Sequence, residues 1–167
     1  ITVFKNCGLS KESPYFVDSY IYIYIYIDKG FNFNTDFTIE MFFKLSTIYG
    51  YQTVVSGKEN ALQVRFKDGK LNFLNENVKE LGESTQLAPI NSWSHLAIVR
   101  YNNKINGYIN GYLHLSVSSS YFYNNGYYCI GRQSQSNVEY LNKAYVDYYR
   151  ISNIARYTSS FTPPIIK

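Results

Sequence analysis

The chain has 167 residues, enough for one domain that hides most of its unfolded surface. Its formal net charge of +4 comes from Lys and Arg spread singly, so there is no basic run to track a phosphate backbone, and no nucleic-acid partner is expected. No stretch approaches about 18 consecutive apolar residues, so no membrane insertion is expected; Cys7 and Cys129, which allow one bridge or two buried thiols, are too few for a disulfide scaffold.

Aromatic residues make up 19% of the chain, with nineteen Tyr and eleven Phe against one Trp, a bias that suits pleated sheets. Charged residues make up only 17%, which favours an extracellular or virion surface. The chain opens on "ITVFKN" without Met or signal peptide, the expectation for an excised domain or processed product.

The first predicted strand is "DSYIYIYIYID", residues 18 to 28. Alternation with a period of two puts Ile21, Ile23, Ile25 and Ile27 on one face and Tyr20, Tyr22, Tyr24 and Tyr26 on the other. Asp18 and Asp28 act as gatekeepers against aggregation of so apolar a strand. "FTIEMFFKL" (37 to 45) is the next strand, followed by a loop "STIYGYQ". "TVVSG" and then "ALQVRFKDGKLNFLN" follow, the latter a hairpin folded on Asp68-Gly69. "NVKELGESTQLAPIN" is predicted as loop, interrupted by Gly82 and Pro89. "WSHLAIVRY" (93 to 101) and "INGYINGYLHLS" (105 to 116) are strands, with a tight turn at Asn110-Gly111. "YFYNNGYYCIGRQ" carries a further turn at Asn125-Gly126, "KAYVDYYRIS" is a late strand, and "RYTSSFTPP" a tail that two prolines terminate.

About a dozen short strands at regular spacing, with hardly any helical periodicity, predict an all-β fold of two stacked antiparallel sheets, a single sandwich domain over 1–167. No repeat of 20 to 50 residues is visible, which argues against a propeller or solenoid.

Several of these segments together resemble the laminin-G-like domains of the concanavalin A-like lectin/glucanase superfamily. "PYFVDSYIYI" is similar to the family's opening strand and "FNFNTDFTIEMFFKL" to its aromatic strand, with Phe42 where Trp is usual. "WSHLAIVRYNNKINGYINGYL" resembles the strand and hairpin that follow. "IGR" and "YLNKAYVDYYRISNIARYTSSFTPP" resemble the ending common in phage and other viral tail proteins, with Lys143-Ala144 where Gly is common and Tyr148 in place of an acidic residue. The resemblance implies a jelly roll whose first strand, 19 to 27, lies beside the late strand at 145 to 151 and has no open edge. It also implies one structural calcium near Asp18, with Asp147 or Asp28 as further ligands.

For chemistry, a glycoside hydrolase needs two carboxylates flanking the bond, and no such cluster exists; Glu40 lacks an acidic partner two residues on. His95, beside Ser92 and Ser94, reads as a strand histidine satisfied by backbone or by a neighbouring polar group. No catalytic residue is assigned. The loops concentrate Tyr, Gln, Asn and Ser, a composition suited to stacking on sugar rings and hydrogen bonding their hydroxyls. Tyr49, Tyr51, Tyr121 and Tyr123 are the candidate stacking residues, with Gln133, Gln135 and Asn137 as hydrogen-bonding partners. The expectation is a non-catalytic module recognising a glycan or cell-surface receptor. The rivals are a structural virion module that contacts neighbouring subunits and, less favoured, a glycan-cleaving enzyme.

Overall fold

The computed structural model describes residues 2–3, 15–16, 23–25, 34–57, 61–75, 79–118, 128–131, 141 and 143–165, those before 34 and residues 128–129 as backbone and register alone. Thirteen strands and no helix occur among the described residues. In chain order they are β1 (Thr2–Val3), β2 (Tyr15–Phe16), β3 (Ile23–Ile25), β4 (Phe37–Leu45), β5 (Tyr51–Gly57), β6 (Leu62–Lys67) and β7 (Lys70–Asn75). β8 (Lys79–Leu87), β9 (Ser94–Tyr101), β10 (Lys104–Ile109), β11 (Tyr112–Ser118), β12 (Tyr128–Ile130) and β13 (Ala144–Ser152) complete the set.

The strands form two antiparallel sheets. One runs β1-β13-β4-β9-β10-β11, with β2 also paired to β13; the other runs β3-β12-β5-β6-β7-β8. The alternation along β4 shows why the layers form: Phe37, Ile39, Met41, Phe43 and Leu45 all point into the sandwich. There they meet Val64 and Phe66 of β6 and Leu71 and Phe73 of β7 in one hydrophobic core.

The hairpins use the turn chemistry that the sequence announces. Asp68–Gly69 and Asn110–Gly111 both take positive φ, as do Asn102 and Asn103 between β9 and β10, the left-handed pairs that match strand twist.

Two expectations are corrected. Ile23–Ile25 does not pair with the late strand: Tyr24 is in register with Cys129, in the opposite sheet from β13. β13 has no side left for it, because β4 lies along one edge and β1 and β2 along the other. Among the described residues β3 therefore ends its sheet rather than lying between two neighbours. The remainder of the Tyr/Ile stretch, with Asp18 and Asp28, and the Asn125-Gly126 turn lie outside the described residues.

The segment predicted as loop around Gly82 is strand β8. Its side chains are mostly at least partly exposed, as an edge strand permits, so apolar alternation is faint. Gly82 is there for space: a Cβ would stand 2.7 Å from Val117 Cγ1 of β11 across the sandwich.

After β13 the chain crosses the outer face of the seven-stranded sheet. Tyr157 and Phe161 stack with ring centres 3.6 Å apart and pack on Ala97, Val99 and Tyr108. The Thr38 hydroxyl donates to the Ile154 carbonyl and accepts the Arg156 N–H, at 2.8 and 2.9 Å. The Phe161 N–H donates to the Gly111 carbonyl at 3.1 Å. At Gly111, φ is +80°, and a Cβ would collide with the Phe161 carbonyl. Gly111→Ala is thus expected to destabilise the protein by more than the roughly 1–2 kcal/mol of left-handed strain alone. Urea denaturation checks this; an unchanged midpoint would show that the strap does not depend on that turn.

Candidate functional site

The predicted aromatic pair Tyr49 and Tyr51 lies at the start of β5, on a loop that is stapled down. The Asp68 carboxylate accepts the Gly50 N–H at 2.9 Å, and the Gly50 carbonyl accepts the Asp68 N–H at 3.0 Å. The Gln52 amide donates to the Thr47 carbonyl at 2.8 Å, and Thr47 Oγ1 accepts the Tyr49 N–H. These bonds tie the loop to the β6–β7 turn. Tyr49 is left 82% exposed and Tyr51 49% exposed.

A register shift between Thr53 and Val55 decides which way Tyr51 faces. Ahead of it, Tyr51 pairs with Lys67 and Thr53 with Arg65; beyond it, Val55 pairs with Val64 in the core. Tyr51 consequently shares the outer face of the six-stranded sheet with Arg65 and Lys67. The Arg65 guanidinium lies 4.1 Å over the Tyr51 ring. Its Nε donates to Asn72 Oδ1 at 2.8 Å, and the Asn72 amide donates to the Gly82 carbonyl at 3.1 Å. The ring thus rests on a fixed, buried base while half of the residue remains in water. Lys67 forms ion pairs with Glu83 at 3.0 Å and Glu80 at 3.5 Å, and Lys70 pairs with Glu83 at 3.3 Å. Arg65 and Asn72 were not singled out from the sequence; an Arg between apolar positions of "LQVRFK" was the available signal.

Tyr121, Tyr123, Gln133, Gln135 and Asn137 lie outside the described residues. So does Asp18. Asp147 is buried on β13, and its Oδ1 accepts the Tyr148 N–H at 2.7 Å. Among the described residues no group of three or more His, Cys, Asp or Glu gathers that could hold a metal ion.

His95 has the satisfied role expected of it. Its Nε2–H donates to Glu40 Oε2 at 3.0 Å, with both side chains buried. Glu40 Oε2 also accepts the Tyr157 hydroxyl at 2.8 Å, and Oε1 accepts Arg150 Nε at 2.6 Å, with Arg156 3.6 Å away. His95 Nδ1, the atom that a serine nucleophile would need, has no hydrogen-bond partner among the described residues, and Ser94 Oγ accepts the Asn110 amide instead. The cluster holds a charge in place and offers no nucleophile. Burial by itself would push the Glu40 carboxyl up, but the His95 hydrogen bond, the Arg150 charge and the Tyr157 hydroxyl together hold it below its ordinary 4.5. Burial and the Glu40 charge push the Tyr157 hydroxyl up to about 12, so it remains a donor.

Two antiparallel sheets packed face to face, helix-free in the described residues, define a concanavalin A-like sandwich. The laminin G profile of the concanavalin A-like lectin/glucanases superfamily matches residues 18–159, and the chain belongs to that superfamily. No curated protein matches. Among solved structures, a Bacteroides ovatus protein assigned a carbohydrate-binding role is similar at a TM-score of 0.64 and 18% identity, over 81% of this chain and 41% of that one. Botulinum neurotoxin type C, whose cell entry depends on two ganglioside molecules, matches at 0.55 and 14%, over 74% of this chain and 33% of that one. A Trypanosoma rangeli sialidase matches at 0.56 and 11%, over 73% and 21%. The chain spans less than half the length of each of these structures.

The Glu40 cluster sets a pH dependence. A carboxyl held below its unfolded value stabilises the fold fully above that value, and the contribution is lost as pH falls through the lowered folded value. Glu40→Gln is expected to cost about 3 kcal/mol at pH 7, at the low end for a buried pair because Arg150 reaches water. Its melting temperature should then fall less steeply than that of the parent as pH drops below 4.5. Parallel acid slopes in the two proteins would assign the acid sensitivity to other groups.

Proposed function

We propose that the chain is a non-catalytic glycan-binding module of a larger cell-surface, extracellular or virion protein, and that Tyr49 and Tyr51 form part of its binding surface. The observation that carries the reading is Tyr51 seated on a buried Arg65, beside Tyr49 on a loop fixed by Asp68. A tyrosine held as Tyr51 is loses little freedom on binding, so the C–H face of a sugar stacks on it at small entropic cost. The carbohydrate-binding role assigned to the Bacteroides ovatus protein and the ganglioside dependence of the neurotoxin support the same class of ligand. Against hydrolysis, Glu40 is buried within its ion-pair cluster, and Glu80 and Glu83 are paired with lysines. Affinity per site is modest and grows with the number of copies presented.

A glycan array followed by titration tests this. Tyr51→Ala should weaken binding to any array hit by roughly 1–2 kcal/mol. Tyr49→Ala should weaken it too, while stability stays within about 0.5 kcal/mol, as for other exposed substitutions. Array hits whose affinity neither variant alters would place the binding surface elsewhere, and release of reducing sugar from a hit would replace the binding reading with an enzymatic one.

A further inference from the structure

A second group of aromatic side chains occupies the outer face of the other, seven-stranded sheet. Trp93, the chain's one tryptophan, is 40% exposed, and its ring centre is 6.1 Å from that of Tyr145. Lys44, the register partner of Tyr145, holds its ammonium 5.8 Å from the centre of that ring. One row further along, Phe42 is half-buried, and the Tyr148 ring meets it edge-on at 6.4 Å.

The backbone that presents Tyr148 is unusual. β13 carries a bulge between Asp147 and Arg150, and Tyr148 within it has φ of 49°, a region that bulky residues rarely adopt. The Asp147 carboxylate stabilises that geometry by accepting the Tyr148 N–H. Bulges of this kind re-aim a side chain and recur beside binding sites. Here the bulge turns a tyrosine out into water next to Phe42, where regular alternation would have kept a residue in the sheet's plain in-and-out pattern.

Among the described residues, the accessible charge around this platform is positive. Lys44 and the exposed Lys143 form no ion pair with a described residue. The carboxylates on the same part of the sheet, Glu40 and Asp147, are buried and already accept hydrogen bonds. Flat apolar rings with an outlying ammonium suit a pyranose that places its C–H face on the rings and an acidic group toward the cation. The Tyr49–Tyr51 loop leaves β4 directly after Lys44 and Leu45, at the same end of the seven-stranded sheet, while Tyr51 itself lies on the outer face of the other sheet.

We propose that Trp93, Tyr145 and Tyr148, with Lys44, form a second saccharide subsite that takes a sugar residue carrying a carboxylate or sulfate group. The subsite rests on side chains other than those of the Tyr49–Tyr51 surface, so each can fail without the other.

Because Trp93 is the sole tryptophan, its fluorescence reports on this platform directly. The full chain is titrated with 3′-sialyllactose, with a sulfated heparin disaccharide and with neutral lactose. A saturable change in Trp93 emission is expected with at least one anionic sugar, and binding of lactose should be about tenfold weaker. Which anionic sugar responds identifies the acidic group. Lys44→Met should weaken that binding roughly fivefold without moving the melting temperature, and added salt should weaken it as well. Tyr49→Ala should leave the Trp93 titration unchanged even where it alters array binding. The proposal is overturned if no anionic sugar perturbs Trp93, or if lactose binds equally well. It is also overturned if the emission shifts with protein concentration alone, the sign of a second copy seated on the platform.

Discussion

A carboxylate taken out of water must be given partners in the protein, and Glu40 sits in the middle of a sheet with only 2% of its surface exposed. Each of its two oxygens is engaged. Oε1 receives Arg150, and Oε2 receives both His95 and Tyr157. These donors come from β13, β9 and the C-terminal segment, so one charge fixes the relation of three parts of the chain that are far apart in sequence. Removing one partner of such a group leaves the remaining charge buried and uncompensated, which is the costly case. The outer face of the seven-stranded sheet is organised around that requirement: the strap at 153–161 brings the tyrosine hydroxyl, and the Tyr157–Phe161 stack covers Ala97, Val99 and Tyr108.

The same arrangement divides the aromatic residues between packed and exposed positions. Where the strap lies, Tyr157 and Phe161 are packed, partly buried, against the sheet. Beyond its reach, at the end of the sandwich that carries the Ser46–Gly50 loop, Tyr49, Tyr51 and Trp93 remain exposed. Of these, Tyr51 rests on Arg65 and Trp93 packs against Tyr145.

Much of this was legible from the sequence because side-chain alternation is a local signal. "FTIEMFFKL", "WSHLAIVRY" and the Asp68-Gly69 and Asn110-Gly111 turns are found in the structure within a residue or so of where pattern placed them. β8 was hidden because an edge strand has no need to bury every second residue. The partner of Ile23–Ile25 was beyond reach for a different reason. Strand pairing depends on which edges other strands have already filled, and β13 is filled on both. Tyr49 and Tyr51 were visible as loop aromatics, whereas the seat of Tyr51 over Arg65 depends on a register shift between β5 and β6 that no alternation reveals. His95 was read as satisfied, yet its partner Glu40, 55 positions away, could be named only once β4 and β9 were seen side by side.

The Glu40 charge, through the Tyr157 hydroxyl, fastens the strap at 153–161 to the sheet. Hydrogen–deuterium exchange on the intact chain at neutral pH, comparing the parent with Glu40→Gln, tests it most directly. The amides of Arg156 and Phe161, which donate to Thr38 and Gly111, should be protected in the parent and exchange far faster in the variant, while those of β9 and β10 remain protected. Equal protection of Arg156 and Phe161 in both proteins would contradict the claim and leave ring packing alone to hold the strap.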